Sequence, residues 1–261
     1  MDFLSQAVKQ KQAELRAAKR KLPLKQMIGL AVRVKDRIDR CSFKQALLKK
    51  PIALIAEIKL KSPTAGKLTQ RNFTQLAKIY GQSRVDAISV LTDKKYFGGS
   101  LKFLHQARGL CPQPILRKDF IIDEYQLYES RLLGADAILL IAALLNVARL
   151  KKFLALAKNL GLACLVEVHS AAEARKAISA DAEIIGINNR DLKSLAVNLI
   201  ITARLKEFMP KGKIIVSESG INSAKDVRFM LNSGVHAILV GSCIAAAKDP
   251  GEKINELKSI L

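Results

Sequence analysis

The chain has 261 residues, 49% of them hydrophobic, with 44 Lys and Arg against 23 Asp and Glu for a formal net charge of +21. Such a content buries a substantial core and excludes a disordered or fibrous chain, and the length suits one large α/β domain. The longest strongly apolar stretch, 137–148, is closed by Asp136 and Arg149 and falls short of the ~20 residues a membrane span needs. Cys41, Cys111, Cys164 and Cys243 show neither C-x-x-C pairing nor a His at ligand spacing. No disulfide framework and no metal site are therefore expected, and the expected compartment is a reducing cytoplasm.

The N-terminal fifty residues carry 14 basic and 4 acidic residues, a net +10. They lack an apolar h-region, so no signal peptide is expected. Asp2 to Lys21 reads as one helix and Leu24 to about Arg40 as another, with Pro23 between them, and Ser42-Phe43 opens a short third turn. A basic segment raises nucleic-acid binding as a function. Beyond its start it has one aromatic, Phe43, and no nucleic-acid motif, so a solvated basic face on leader helices is the preferred reading and no nucleic-acid partner is expected. Alone, residues 1–50 would bury too little surface to fold; they are expected to form a helical extension packed on the domain of residues 51–261.

In residues 51–261 short apolar runs alternate with amphipathic segments. The expected strands are Ile52–Ile58, Asp86–Leu91, Pro114–Arg117, Ala137–Ile141, Leu162–Val168, Glu183–Ile187, Lys213–Val216 and Ala237–Val240. They are continuously apolar, as parallel strands covered by helices should be. Asp86-Ala87-Ile88, Asp136-Ala137-Ile138 and His236-Ala237-Ile238 repeat as strand openings, the last two after Gly134 and Gly234 at helix C-termini. Eight βα units in about 210 residues predict a closed (β/α)8 TIM barrel with an N-terminal helical extension. No G-x-G-x-x-G follows the first strand, which argues against an open dinucleotide-binding sheet.

Strand C-termini hold the active site in such barrels. Here they carry Glu57 and Lys59, Lys118, Glu167, Asn188 to Arg190, and Glu218-Ser219-Gly220, with Gly241-Ser242 after the last strand and Ser89 directed inward from the second. Single ion pairs across a barrel top are common. Two lysines and three glutamates at matching depth point instead to acid–base chemistry, because close buried charges shift one another's titration. The small residues after the seventh and eighth strands read as a phosphate site rather than as two tight turns.

These residues fall in segments that resemble the indole-3-glycerol phosphate synthase family. The resemblance is carried by Ile55-Ala56-Glu57-Ile58-Lys59-Leu60-Lys61-Ser62-Pro63, Ser89-Val90-Leu91-Thr92-Asp93 with Phe97-Gly98-Gly99-Ser100, and Leu116-Arg117-Lys118-Asp119-Phe120. It continues through Leu165-Val166-Glu167-Val168-His169, Gly186-Ile187-Asn188-Asn189-Arg190-Asp191-Leu192, Ser217-Glu218-Ser219-Gly220-Ile221 and Val240-Gly241-Ser242. It implies ring closure, decarboxylation and dehydration of 1-(2-carboxyphenylamino)-1-deoxyribulose 5-phosphate, with no cofactor and no metal. By resemblance Lys118 is the acid that activates the substrate carbonyl, Glu167 the base of the dehydration, Lys59 a second acid or electrostatic partner, and Glu57 the group that keeps both lysines charged. Asn188, Arg190 and Glu218 are expected to position the substrate, Phe97 to sandwich its ring, and Ser62, Ser219, Gly220, Gly241 and Ser242 to hold its phosphate.

Thr64-Ala65-Gly66 and the stretch Cys243 to Lys248 depart from the family's usual residues. His105, His169 and His236 are read as helix, supporting and structural residues. The fused isomerase barrel of some relatives is not expected. Three alternatives remain: a Schiff-base aldolase or lyase using Lys118 or Lys59, a phosphoribosylanthranilate isomerase, disfavoured because no Cys ends the first strand, and a basic RNA-binding barrel. The expected partner is a small anionic phosphate ester, with no membrane association, and the expected state is a monomer, with a weak homodimer as the alternative.

Overall fold

The structure, a computed structural model, describes residues 3–34, 42–63, 65–191 and 194–259. Helices α1 (Phe3–Lys21), α2 (Leu24–Ala31) and α3 (Phe43–Leu47) precede strand β1 (Ala53–Ile58), which runs into a small hairpin of β2 (Lys61–Ser62) and β3 (Gly66–Lys67). After α4 (Phe73–Gln82) come β4 (Ala87–Leu91), α5 (Lys94–Phe97), α6 (Lys102–Leu110), β5 (Ile115–Lys118), α7 (Glu124–Leu132) and β6 (Ala137–Ile141). The chain continues through α8 (Val147–Asn159), β7 (Ala163–Val168), α9 (Ala171–Ser179), β8 (Ile184–Asn188), α10 (Ile200–Glu207) and β9 (Ile214–Glu218). It closes with α11 (Ala224–Asn232), β10 (Ala237–Val240), α12 (Ser242–Ala245) and α13 (Pro250–Lys258).

Eight parallel strands form a closed barrel in the order β1-β10-β9-β8-β7-β6-β5-β4. Every strand expected from the apolar runs is present within two residues at each end. The runs are apolar throughout because both strand faces are buried: Leu54, Ala56, Ile88 and Val90 pack outward under the helices, whereas Ala53, Ile55, Ala87 and Leu116 fill the barrel interior. Phe43 and Leu47 of α3 join the interior cluster. Helix starts are set by local chemistry. Ser42 with Gln45, Asn72 with Gln75 and Asp123 with Gln126 each form a reciprocal capping box.

Two expectations change at the N-terminus. The second helix ends at Ala31, and Val32 to Val34 continue as turns; the rest of its expected span, to Arg40, lies outside the described residues, as do Asp2, Cys41, Thr64 and Leu192. The leader is also more than a solvated basic face. Lys11 is 5% exposed and pairs with Asp119 at 2.9 Å, Asp93 at 3.6 Å and Glu14 at 2.8 Å. Among the described residues no helix is long and apolar enough to cross a membrane.

Candidate active site

Period-two alternation decides what enters the barrel mouth. On each strand the interior residues continue toward the C-terminal end, so Ala53 and Ile55 lead to Glu57, Leu116 leads to Lys118, Leu165 to Glu167, and Val216 to Glu218. Strand register brings them to one level: Glu57 pairs with Ser89, Glu167 with Gly186, and Asn188 with Glu218. They form the floor of a cavity of about 760 Å³. Lys59, Ser62, Phe97, Asn188 and Arg190 also line it, as do Ser219, Gly220, Gly241 and Ser242. The structure thus brings all thirteen sequence-derived candidates into one chamber.

At its centre Lys118 Nζ donates to Glu167 Oε2 at 2.9 Å and to Glu218 Oε2 at 2.7 Å. Burial acts to discharge this lysine, but the two carboxylates outweigh it and hold the ammonium firmly charged. One cation cannot serve two buried anions equally. Burial pushes Glu218 up to about 7, helped by Glu167 and Glu57 against the pull of Lys118. Glu167 goes the other way, to about 2: burial opposes ionisation, and Lys118 and His169 overcome it. The cluster therefore carries a strong donor, a firmly ionised carboxylate and a carboxyl that titrates near neutrality.

Glu57 reaches the two lysines unequally. Its Oε1 lies 3.5 Å from Lys59, while Lys118 takes Glu167 and Glu218 as its bonded partners, with Glu57 acting on it only through the field. Glu57 Oε2 and Glu218 Oε1 are buried with no hydrogen-bond partner among the described residues. Such acceptors are costly to leave empty and suit donors brought by a ligand.

Two glycines make this geometry possible. A Cβ on Gly186 would stand 2.1 Å from Glu218 Oε1, and one on Gly241 would stand 2.5 Å from Glu57 Oε1. Gly241, expected to let a phosphate approach, also makes room for a carboxylate. Gly220 (φ +85°) follows Ser219 (φ +67°), and a Cβ on it would meet Val197 at 2.3 Å. Asn189 braces these turns from outside the cavity, donating to Ser217 Oγ and to the carbonyls of Glu218 and Ser219, each at 3.0 Å. Ser62 accepts from the Ala65 N–H at 3.0 Å within the first loop. The Asn188 side chain accepts from the Arg190 N–H at 3.0 Å, and the Arg190 guanidinium donates to Leu195 O at 2.9 Å.

The upper wall is apolar and aromatic. Phe120 lies 6.4 Å from Phe97 and 6.0 Å from Phe3 between ring centroids, and Lys59 Nζ stands 5.6 Å from the Phe97 centroid. Phe3 and Leu4 place the first turn of α1 in the cavity lining. Among the described residues no group of three or more His, Cys, Asp or Glu is placed to hold a metal ion.

The family model for indole-3-glycerol phosphate synthase matches residues 4–257. The chain belongs to the indole-3-glycerol phosphate synthase family. It is 41% identical over 261 residues to the indole-3-glycerol phosphate synthase of Carboxydothermus hydrogenoformans, covering 98% of this chain and 99% of that one. It is 47% identical over 211 residues to that of Acetivibrio thermocellus, covering 80% and 81%. The barrel is also similar to thiamine phosphate pyrophosphorylase from Pyrococcus furiosus, with a TM-score of 0.62 at 18% identity over 80% of this chain and 94% of that one; this likeness shows the fold alone.

Sequence reading of this family member missed several residues that shape the site. Lys11 is indistinguishable by type from the other basic residues of the leader. Its signal is positional only: it falls on the same helix face as Ala7 and Leu15, both buried. Neither the type nor the spacing of Phe120, directly after Asp119, or of Phe3, in the leader, places its ring at the cavity. Gly186 in mid-strand was the readable clue, since a strand glycine often marks a close approach.

Proposed function

We propose that this cavity carries out the reaction of the synthase family on 1-(2-carboxyphenylamino)-1-deoxyribulose 5-phosphate, with Lys118 as the principal acid. The observation that carries this reading is the lysine held between two carboxylates on the floor of one chamber, with small-residue turns after β9 and β10 at its side. The anthranilate ring would lie against Phe97, Phe120 and Phe3, and the phosphate against Ser219, Gly220, Gly241 and Ser242. Arg190, Lys59 and Ser62 would contribute at its rim. Glu57 Oε2 and Glu218 Oε1 would accept hydrogen bonds from the substrate's hydroxyls.

Lys118 gives its proton to the carbonyl oxygen as the ring carbon bearing the carboxylate bonds to the carbonyl carbon. The bond to the carboxylate then breaks, its electrons restore the aromatic ring, and carbon dioxide leaves. In the dehydration the new hydroxyl departs as water with a proton from Lys59, and Glu167 takes a proton from the adjacent carbon. A proton on Glu218 removes one counter-charge from Lys118 and makes its proton easier to release, which links the pair to pH near neutrality. Positive charge and fixed donors meet the needs of each step.

Residues 1–50 act in this reading as an extension packed on the barrel of residues 51–261, since Phe3, Leu4 and Lys11 are spent on the cavity and its rim. We place the enzyme in the cytoplasm, where the free thiols of Cys164 and Cys243 are at home, and expect a monomer with neither membrane nor nucleic acid as partner. The test follows indole fluorescence from the purified chain in chelator, with Lys118→Ala in parallel. Wild-type turnover with a loss of roughly 10³-fold or more in the variant supports the reading. A folded wild type without turnover, or borohydride trapping of a keto-sugar phosphate on Lys118, refutes it.

A further inference from the structure

Glu167 has a basic side chain beside each of its oxygens. Its Oε2 accepts from Lys118 at 2.9 Å, and its Oε1 faces Nε2 of His169 at 3.3 Å. His169 follows β7 directly and is itself held from behind. Its backbone N–H donates to Glu173 Oε2 at 2.9 Å, and its ring Nδ1 lies 3.2 Å from the same oxygen. Glu173 sits in the first turn of α9, whose N-cap Ser170 accepts from the Glu173 N–H. The ring is therefore fixed by a helix that has no other part in the cavity.

This arrangement constrains the imidazole proton. Facing a carboxylate, Nδ1 carries a hydrogen. In a neutral ring Nε2 would then turn a lone pair toward Glu167, acceptor against acceptor. Nε2 is buried and makes no in-line hydrogen bond among the described residues. A protonated ring removes the conflict: Nδ1–H meets Glu173, and the positive charge stands 3.3 Å from Glu167 Oε1 as an ion pair.

We propose that His169, oriented by Glu173, is a positioning residue for the Glu167 base: it fixes the outer oxygen of that carboxylate and sets its basicity through the charge on the ring. The inference rests on the reading of Glu167 as base. The charged groups around the ring come from three elements. Glu167 lies on its own strand, Glu173 on α9 and Glu218 on β9, while Lys118 of β5 is bonded to Glu167 and Glu218. Burial alone would discharge the ring; the hydrogen bond to Glu173 and the fields of Glu167, Glu173 and Glu218 outweigh it and favour the imidazolium.

The experiment is the pH profile of kcat for wild type, His169→Asn, His169→Gln, Glu173→Gln and Glu167→Gln, with melting temperatures in parallel. In His169→Asn the cation beside Glu167 is gone. Its acid limb should move to higher pH, with kcat lowered roughly tenfold or more and KM little changed. His169→Gln returns a neutral donor, so kcat should recover at high pH while the limb stays displaced. Glu173→Gln should move the limb in the same direction by a smaller amount, and together with His169→Gln it carries the test if the asparagine variant does not fold. An unmoved acid limb in the His169 variants overturns the proposal, as does a loss of kcat that follows melting temperature and is not recovered by glutamine. Full activity in Glu167→Gln would instead sink the base assignment, and the inference with it. An inactive Glu167→Gln beside unmoved His169 limbs sinks the inference alone.

Discussion

Lys11→Met tests how the leader is held on the barrel. The lysine crosses from α1 to two carboxylates with separate duties: Asp119 follows Lys118, and Asp93 caps α5, which carries Phe97. Removing one partner of a buried ion pair costs about 3–5 kcal/mol, because the other charge stays behind. Asp119 keeps Arg117 at 3.0 Å, the Thr92 hydroxyl at 2.6 Å and the Phe120 N–H at 2.8 Å, which places the cost near the lower figure. About 3 kcal/mol is roughly a hundredfold in an equilibrium, and the lost contact lies between helix and barrel, so the undocked population of α1 should rise by about that factor. Amide exchange reads it directly: helix amides around Ala7 and Leu15 should exchange faster while barrel-strand amides hold. KM should rise as well, since Phe3 and Leu4 leave the cavity wall. Lys9→Met, on the exposed face of the same helix, removes a charge that forms no ion pair among the described residues and serves as control. Equal exchange in the two variants, or strands and helix accelerating together, would refute the reasoning.

Gly186→Ala should push the Glu218 carboxylate off Lys118, because the new methyl would fall 2.1 Å from Oε1 and 3.1 Å from Leu165. A lost charge-assisted hydrogen bond of about 1.5–3 kcal/mol predicts a fall in kcat/KM of roughly 10- to 150-fold; steady-state kinetics within twofold of wild type would contradict it. Stability should also depend on Glu218. Its raised folded value means the native state holds the proton more tightly than the unfolded chain, so stability falls as pH rises from about 4.5 through about 7. Glu218→Gln should flatten denaturant midpoints across that window, and a slope equal to wild type there rejects the assignment. Asp119, lowered to about 2 by Arg117 and Lys11 against burial, works with the opposite sign. Its contribution is present above its ordinary range near 3.8 and is lost only as pH falls toward 2. Asp119→Asn should therefore lower midpoints at neutral pH and lose that deficit on acidification.

The barrel was legible because it follows from local physics. Strands buried on both faces need continuous apolar runs, helices between them need one apolar stripe, and eight repeats of that unit close on themselves. The inward polar series was legible for the same reason: Glu57, Lys118, Glu167, Asn188 and Glu218 end strands, and alternation places their side chains before any contact is known. What alternation cannot supply is distance across the barrel. That Lys118 chooses Glu167 and Glu218, leaving Glu57 to Lys59, depends on stagger between strands far apart in sequence and on the space vacated by Gly186 and Gly241. The burial of Lys11 is non-local in the same way. Among many similar basic residues on the leader helices, only the docking angle of α1 selects the one that meets Asp93 and Asp119. Sequence determined the architecture and the chemical inventory of the site; tertiary structure decided which charges share a proton, because pairing energies depend on separations of a few ångströms that no single segment encodes.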